Sequence, residues 1–515
     1  MRDKVVDGRQ AAAMVPDGAA VGILGGGGGL VEPEALLAGI EERFLSTGAP
    51  VGLRVIHALG LGDRDRRGLN RLAYEGLVSK VIGGHWIWSP RMQDLAREEK
   101  IEAYVLPSGV TTQLLREIGA GRPGLITHVG LGTFVDPRQD GGRMNRSAQD
   151  SLVELIEIDG RTLLRYKPFP VDVALLRGSY ADADGNISME EEPANLEAFA
   201  LALAAHNSGG QVIVQVRGLV EKGRFPARQV RIPGALVDAV VVVPDQQQCH
   251  AFFYDPSISG QLQENEPAEQ GRRVRTQDSE TSGPRAVIAH RAAQELYENA
   301  VINFGFGIPD GVAKLVAARD ETDRYYQTIE HGTYGGELLD GVLFGFARNA
   351  SCMIDSPSQF DLYSGGGLDI AFLGFGEMDS SGNVNVSRLG GITVGPGGFM
   401  DIAQNARKVV FCGTFEAKGA AYDIDDKSIS ISRYGQVRKL VEEVDQITFS
   451  GRQAMANGQK VLCITERAVF DLTPEGMRLR EVAPGIDLQA DVLDRMGFAP
   501  VVPADVLTMP FMMGA

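Results

Sequence analysis

Two stretches of this chain, 197 positions apart, repeat one pattern at one spacing. Asp172-Val173-Ala174-Leu175-Leu176 is followed after five residues by Asp182-Ala183-Asp184-Gly185-Asn186-Ile187. Asp369-Ile370-Ala371-Phe372-Leu373 is followed after five residues by Asp379-Ser380-Ser381-Gly382-Asn383-Val384. Each copy is an apolar strand leading to an Asp-x-x-Gly-Asn turn, and each predicts a following helix (196–206; 401–406) and a β-branched strand (212–216; 409–412). A chain built this way folds as two tandem α/β domains of one open-sheet architecture. The composition predicts residues 1–245 as the first domain, 246–283 as a linker rich in Gln, Glu, Ser and Pro, and 284–515 as the second. Within the linker, Phe252-Phe253-Tyr254 is expected to pack against a domain, because such a run is costly to leave in water.

The 515 residues exceed what one core serves. Residues 19–24, glycines 25–29 and a helix opening at Pro33 read as a βα unit, whose glycine loop suits either an anion or tight packing. Short strands over 53–59, 76–82 and 103–106 follow, and His85-Trp86-Ile87-Trp88 reads as a packed strand. The glycine-rich loop over 130–142 is expected beside a site. In the second half a helix over 290–298, a strand over 300–304 and a helix over 310–318 form another βα unit. The charged runs Glu190-Glu191-Glu192 and Arg272-Arg273-Val274-Arg275 read as solvated.

The formal charge of −17 disfavours nucleic acid and anionic membranes as partners. No apolar run approaches the roughly 20 residues of a membrane helix, and residues 1–15 show no secretory signal pattern. Cys249, Cys352, Cys412 and Cys463 lie far apart, against a cysteine zinc site or a disulfide framework. The expectation is a cytoplasmic protein with no metal.

Chemistry concentrates in the second half. Glu330 ends an apolar run in Gln327-Thr328-Ile329-Glu330-His331-Gly332 and is followed by Gly335-Gly336, with further glycine clusters at 365–367 and at Val394-Gly395-Pro396-Gly397-Gly398-Phe399. There is no Gly-x-Ser-x-Gly, His-Glu-x-x-His or Walker lysine pattern. A carboxylate in such company suggests nucleophilic work. Its natural electrophile is a thioester, since a thiol of pKa about 8.5 leaves as thiolate without an acid.

These residues, with Phe360-Asp361-Leu362-Tyr363-Ser364-Gly365-Gly366-Gly367-Leu368-Asp369 and Gly382-Asn383-Val384-Asn385-Val386-Ser387, resemble the family I coenzyme A transferases of the single-chain acetate or propionate type. The likeness spans the chain, the first half resembling the α part and the second the β part of the two-subunit enzymes. It departs at glycines 25–29, where many α subunits read Gly-Gly-Phe, and at His331, where many β subunits have Asn.

The resemblance implies that Glu330 is the nucleophile and that Gly397 and Gly398 supply an oxyanion hole. It also implies that Gly305, Phe306, Gly307, Ile308, Pro309 and Gly395 contact coenzyme A, with Lys418 a further candidate. Coenzyme A is then a substrate, with no permanently bound cofactor. The partners are acyl-CoA and small carboxylic acids, the kinetics are ping-pong through a glutamyl-CoA thioester, and the assembly is a homodimer or homotetramer. An acyl-CoA hydrolase on the same scaffold and a noncatalytic metabolite sensor are the alternatives.

Overall fold

The computed structural model describes residues 4–261 and 283–510. The first half is built on seven parallel strands: β1 (Ala20–Ile23), β2 (Leu53–His57), β3 (Val78–Gly83), β4 (Glu102–Val105), β5 (Val173–Arg177), β6 (Gln211–Val216) and β7 (Ala239–Val242). Their order is β7-β6-β5-β1-β2-β3-β4. Every residue of β1 and β5 is buried, the signature of parallel strands covered on both faces.

The main sheet of the second half has ten strands: β8 (Val301–Phe304), β9 (Tyr326–Ile329), β10 (Thr333–Tyr334), β11 (Cys352–Met353), β12 (Ile370–Gly374), β13 (Lys408–Cys412), β14 (Lys460–Ile464), β15 (Ala468–Thr473), β16 (Gly476–Val482) and β17 (Leu507–Thr508). Their order is β11-β10-β9-β8-β12-β13-β14-β15-β16-β17. The parallel run β9-β8-β12-β13-β14 repeats β2-β1-β5-β6-β7 strand for strand.

The duplication extends to single hydrogen bonds. The Asp172 carboxylate accepts the N–H of Ala20 at 2.7 Å, and the Asp369 carboxylate accepts that of Val301 at 2.9 Å, so each aspartate fixes the start of the neighbouring strand. Asp182 Oδ1 accepts from the N–H groups of Asp184 and Asn186, and Asp379 Oδ1 from those of Ser381 and Asn383. The Asn amide then reaches onward. Asn186 Oδ1 accepts from Gly234 N at 2.8 Å, and Asn383 Oδ1 from Gly451 N at 3.1 Å.

Six helices matter here: α1 (Glu34–Thr47), α2 (Ser108–Gly119), α3 (Ala198–Asn207), α4 (Asp310–Ala318), α5 (Ser356–Ser364) and α6 (Phe399–Asn405). α3 and α6 precede β6 and β13, as the repeat predicts. α2 is buried over nearly its whole length between α3 of its own half and α5 and α6 of the other.

Four expectations are corrected. His85-Trp86-Ile87-Trp88 forms a turn after β3, not a strand: Trp86 is fully buried and its N–H donates across the seam to Val394 O at 2.7 Å. The helix expected over 290–298 runs over Pro284–Ala293, opened by the proline. Glu190-Glu191-Glu192 is not a solvated run, because Glu192 is buried against Arg177 at 2.9 Å and Glu191 pairs with Arg217. The loop over 130–142 serves the seam, with Gly130 N donating to Gln404 Oε1 and Phe134 N to Ile447 O.

Past β7 the chain stays packed on the first half, burying Gln246, Gln248, Cys249, Asp255 and Ile258. Phe252 lies against the core, and the Arg217 guanidinium sits 5.1 Å and 5.2 Å from the Phe253 and Tyr254 ring centres. Arg272-Arg273-Val274-Arg275 lies outside the described residues, and no described helix is long and apolar enough to cross a membrane.

A Cβ on Gly234 would stand 2.2 Å from Asp184 O, and one on Gly451 2.0 Å from Ser381 O, so both Asn-anchored turns demand glycine. Gly234→Ala and Gly451→Ala should each destabilise by about 1–3 kcal/mol. Denaturant titration reads the two losses, which should be of similar size.

Candidate active site

Glu330 stands where the chain leaves β9 and turns back into β10. Ile329 pairs with Thr333, and the three residues between them close a hairpin. Gly332 N donates to Ile329 O at 2.9 Å, and Gly332 itself takes a left-handed φ of 98°, the conformation that a three-residue hairpin asks of its last loop position. The carboxylate is therefore carried on a short, tightly closed tip at the C-terminal edge of the parallel strands, where open α/β sheets bind their ligands.

The mount beneath it is rigid. Thr328 Oγ1 lies 2.8 Å from Tyr363 Oη on α5 and donates to Ile302 O at 2.9 Å. Asn303 Nδ2 donates to Thr328 O at 3.1 Å and to Tyr363 Oη at 3.3 Å. Burial, with the nearby Glu330 carboxylate adding to it, pushes the Tyr363 phenol far above its ordinary range, so it stays protonated. His331 is buried, its Nδ1 3.0 Å from Gly345 O, and it anchors the hairpin to the 341–346 segment.

Gly398 faces Glu330. A Cβ built there would lie 3.3 Å from Glu330 Cγ and 3.4 Å from the Phe360 ring. The N–H of Gly397 is spent on Gly84 O at 3.0 Å, whereas that of Gly398 meets no acceptor among the described residues. Of the two glycines expected to bind an oxyanion, Gly397 has its N–H occupied and Gly398 does not, among the described residues. Gly397 locks the loop to the first half, aided by its carbonyl, which accepts from Ser108 N at 2.9 Å. His85 sits beside Gly397 and is held neutral, its pKa lowered by burial and by the His57 and Arg64 charges to about 4.

The remaining expected residues spread along the same sheet edge. Gly305, Phe306, Gly307, Ile308 and Pro309 link β8 to α4, one strand over from Glu330, with Phe306 55 % exposed and its ring edge-on to Phe344 at 5.2 Å. Lys418 is exposed on the turn beyond β13, three strands from Glu330. Gly395 lies at the seam, where a Cβ would stand 2.7 Å from Gly84 O.

Sequence reasoning missed Asp401. This α6 carboxylate is fully buried and accepts the N–H groups of Gly109 and Val110, the start of α2, at 3.0 Å and 3.1 Å. Burial raises its pKa to about 7 against the pull of those two donors, and the charge of Glu330 adds to the rise. Nothing in Phe399-Met400-Asp401 announces such a partner, because it lies 292 residues away.

A family model described as coenzyme A transferase matches residues 7–243. The chain is 41 % identical to acetate CoA-transferase YdiF of Escherichia coli O157:H7 over 509 residues, covering 99 % of this chain and 94 % of that protein. It is 44 % identical to caffeate CoA-transferase of Acetobacterium woodii over 515 residues, covering 98 % and 96 %. The crystal structure of the Escherichia coli O157:H7 acyl-CoA transferase in thioester complex with CoA superposes with a TM-score of 0.92 at 40 % identity, over 99 % of this chain and 96 % of that one.

The Asp401 geometry carries a pH prediction. An acid whose pKa is about 7 folded and 3.8 unfolded binds its proton more tightly in the folded state, so its contribution to stability is largest below pH 4 and is lost as pH rises towards 7. The loss is up to about 1.4 kcal/mol per unit. Asp401→Asn cannot ionise, so its stability deficit relative to wild type should shrink between pH 5 and pH 8. Paired urea titrations at the two pH values check this.

Proposed function

The chain belongs to the coenzyme A transferase family, and from that premise we propose that Glu330 is its nucleophile in moving CoA from a short-chain acyl-CoA to a carboxylic acid. The observation that carries this reading is the apposition of Glu330 to Gly398, whose N–H meets no acceptor among the described residues. The Glu330 carboxylate attacks the thioester carbonyl, the C–S bond breaks, and CoA leaves as thiolate with the bonding pair. The resulting acyl-glutamyl anhydride is attacked at the glutamyl carbonyl by that thiolate, which expels the first acid and leaves a glutamyl-CoA thioester. An incoming carboxylate runs the same steps in reverse and departs as the new acyl-CoA, so the kinetics are ping-pong.

Each tetrahedral stage places negative charge on an oxygen that the Gly398 N–H is positioned to receive, an interaction worth about 3–4 kcal/mol. Gly397 acts by fixing that loop. His331, tied through Nδ1 to Gly345 O, holds the hairpin that carries Glu330.

Coenzyme A enters as substrate. Strands lie about 4.8 Å apart, so the ends of β9 and β13 stand about 14 Å apart, and in this reading the thiol arm runs from Glu330 past Gly305, Phe306, Gly307, Ile308 and Pro309 with its charged end towards Lys418, which follows β13. Gly395 shapes this loop at the seam. In this reading residues 1–245 stand for the α part and 284–515 for the β part of two-subunit relatives. The four free cysteines fit a cytoplasmic protein, and the family suggests a homodimer or homotetramer.

Glu330→Gln should fold normally and lose at least about a thousandfold in turnover. Acyl-CoA added to wild type without an acceptor acid should halt after one turnover with CoA attached to the Glu330 peptide in mass spectra, and acetate should release it. Continued release of free thiol without an adduct would identify a hydrolase. Intact acyl-CoA with unmodified protein would leave a sensor. Gly398→Val should slow turnover far more than it lowers the unfolding midpoint, because the added side chain crowds Glu330.

A further inference from the structure

Away from Glu330, two carboxylates and an imidazole converge under the glycine loop of the first half. Glu32 Oε2, an oxygen of Glu34 and a ring nitrogen of His250 lie within 4.8 Å of one another. Glu32 is 0 % exposed. Its Oε1 accepts from Gly62 N at 2.6 Å, but its Oε2 has no hydrogen bond, and neither ring nitrogen of His250 has one. A buried carboxylate oxygen and an imidazole, 3.5 Å apart and without a hydrogen bond, leave room for a ligand or an ordered water between them, since such groups are otherwise paired.

We propose that Glu32, Glu34 and His250 form a binding site for a divalent cation of the zinc class. One imidazole with two carboxylates is a donor set that zinc accepts. Glu32 Oε2 stands 3.5 Å from His250 Nε2, close to the roughly 3.4 Å edge expected of a tetrahedron with bonds of about 2.0–2.2 Å.

The surroundings fix each donor. His250 N donates to Gly28 O at 2.8 Å, while Glu34 is held by Gly68 N at 2.9 Å and Arg71 Nε at 2.6 Å. Such outer partners orient ligands in metal sites. Arg71 also bonds Glu41, and Asp63 and Arg67 lie close by. Arg177, which touches Glu32 only through its backbone carbonyl, is paired with Glu192.

The site would staple the segment after β7 to the glycine loop. A Cβ on Gly29 would stand 2.5 Å from the His250 ring, and one on Gly28 2.7 Å from Val342 O in the other half. A bound cation would therefore stiffen a loop that abuts the second half. With His250 lying 216 positions from Glu34, no ligand spacing exists for a sequence motif to display.

The test is a zinc titration of chelator-treated full-length protein, followed by calorimetry and thermal unfolding. Wild type should bind one zinc per chain, and at a hundredfold excess over Kd its unfolding midpoint should rise by about 2–3 °C. Glu32→Gln and His250→Gln should each abolish the rise. Cys352→Ser, which removes the exposed thiol as a rival zinc ligand, should keep it. No rise in wild type overturns the proposal, as does a rise that survives in both variants or disappears with Cys352→Ser. Should the variants fold poorly, anomalous scattering from zinc-soaked wild-type crystals decides: zinc between Glu32 and His250 supports the site, and zinc elsewhere or absent refutes it.

Discussion

The seam between the two halves depends on one buried carboxylate. Asp401 presents both oxygens to the first free N–H groups of α2, and so supplies at that helix start the acceptors that no residue of the first half provides. Removing it would strand two buried donors at about 1–3 kcal/mol each. The polar contacts of α2 then follow along one helix: Ser108 N on Gly397 O, Gln113 Nε2 on Asp361, and Arg116 in a two-bond pair with the same aspartate. Because Gly397 is fixed from the first half and Glu330 from the second, the separation of Glu330 from the Gly397-Gly398 loop is set by how this helix docks.

The two kinds of support around Glu330 differ in origin. Below the hairpin, Thr328, Tyr363 and Asn303 belong to the second half and hold β9 to β8 and α5 whatever the first half does. Opposite it, the loop of Gly397 and Gly398 takes its shape from Gly84 and Ser108 across the seam. The mount of Glu330 is thus preformed in one half, and the loop that faces it is completed by the other.

Much of this was legible in the sequence where the physics is local. The repeat read at 172–187 and 369–384 became matching strands, matching aspartate anchors and matching Asn-Gly contacts, because a strand followed by an Asp-capped turn is specified by its own residues. Glu330 was visible as a carboxylate among glycines, and Gly398 as part of a glycine cluster. What stayed hidden was distant. Trp86 looked like one residue of a packed strand because the partner of its N–H, Val394, lies in the other half. Glu192 looked solvated because Arg177 is its partner only in three dimensions. Asp401 looked like an ordinary first-turn helix acid. In each case the residue type was right for several environments, and a contact more than ten positions away chose among them.

The large sequence separation across the seam has a kinetic side. Each sheet pairs mostly neighbouring segments, whereas Ser108, Gly109 and Val110 must find partners nearly 300 positions further along the chain. Loop closure over such a length costs entropy before any contact repays it. The halves can therefore acquire their sheets separately, and the pairing of Glu330 with Gly398 forms only when they meet. Recovery of turnover after denaturation is then a clock for docking, running behind any spectroscopic signal that reports the sheets.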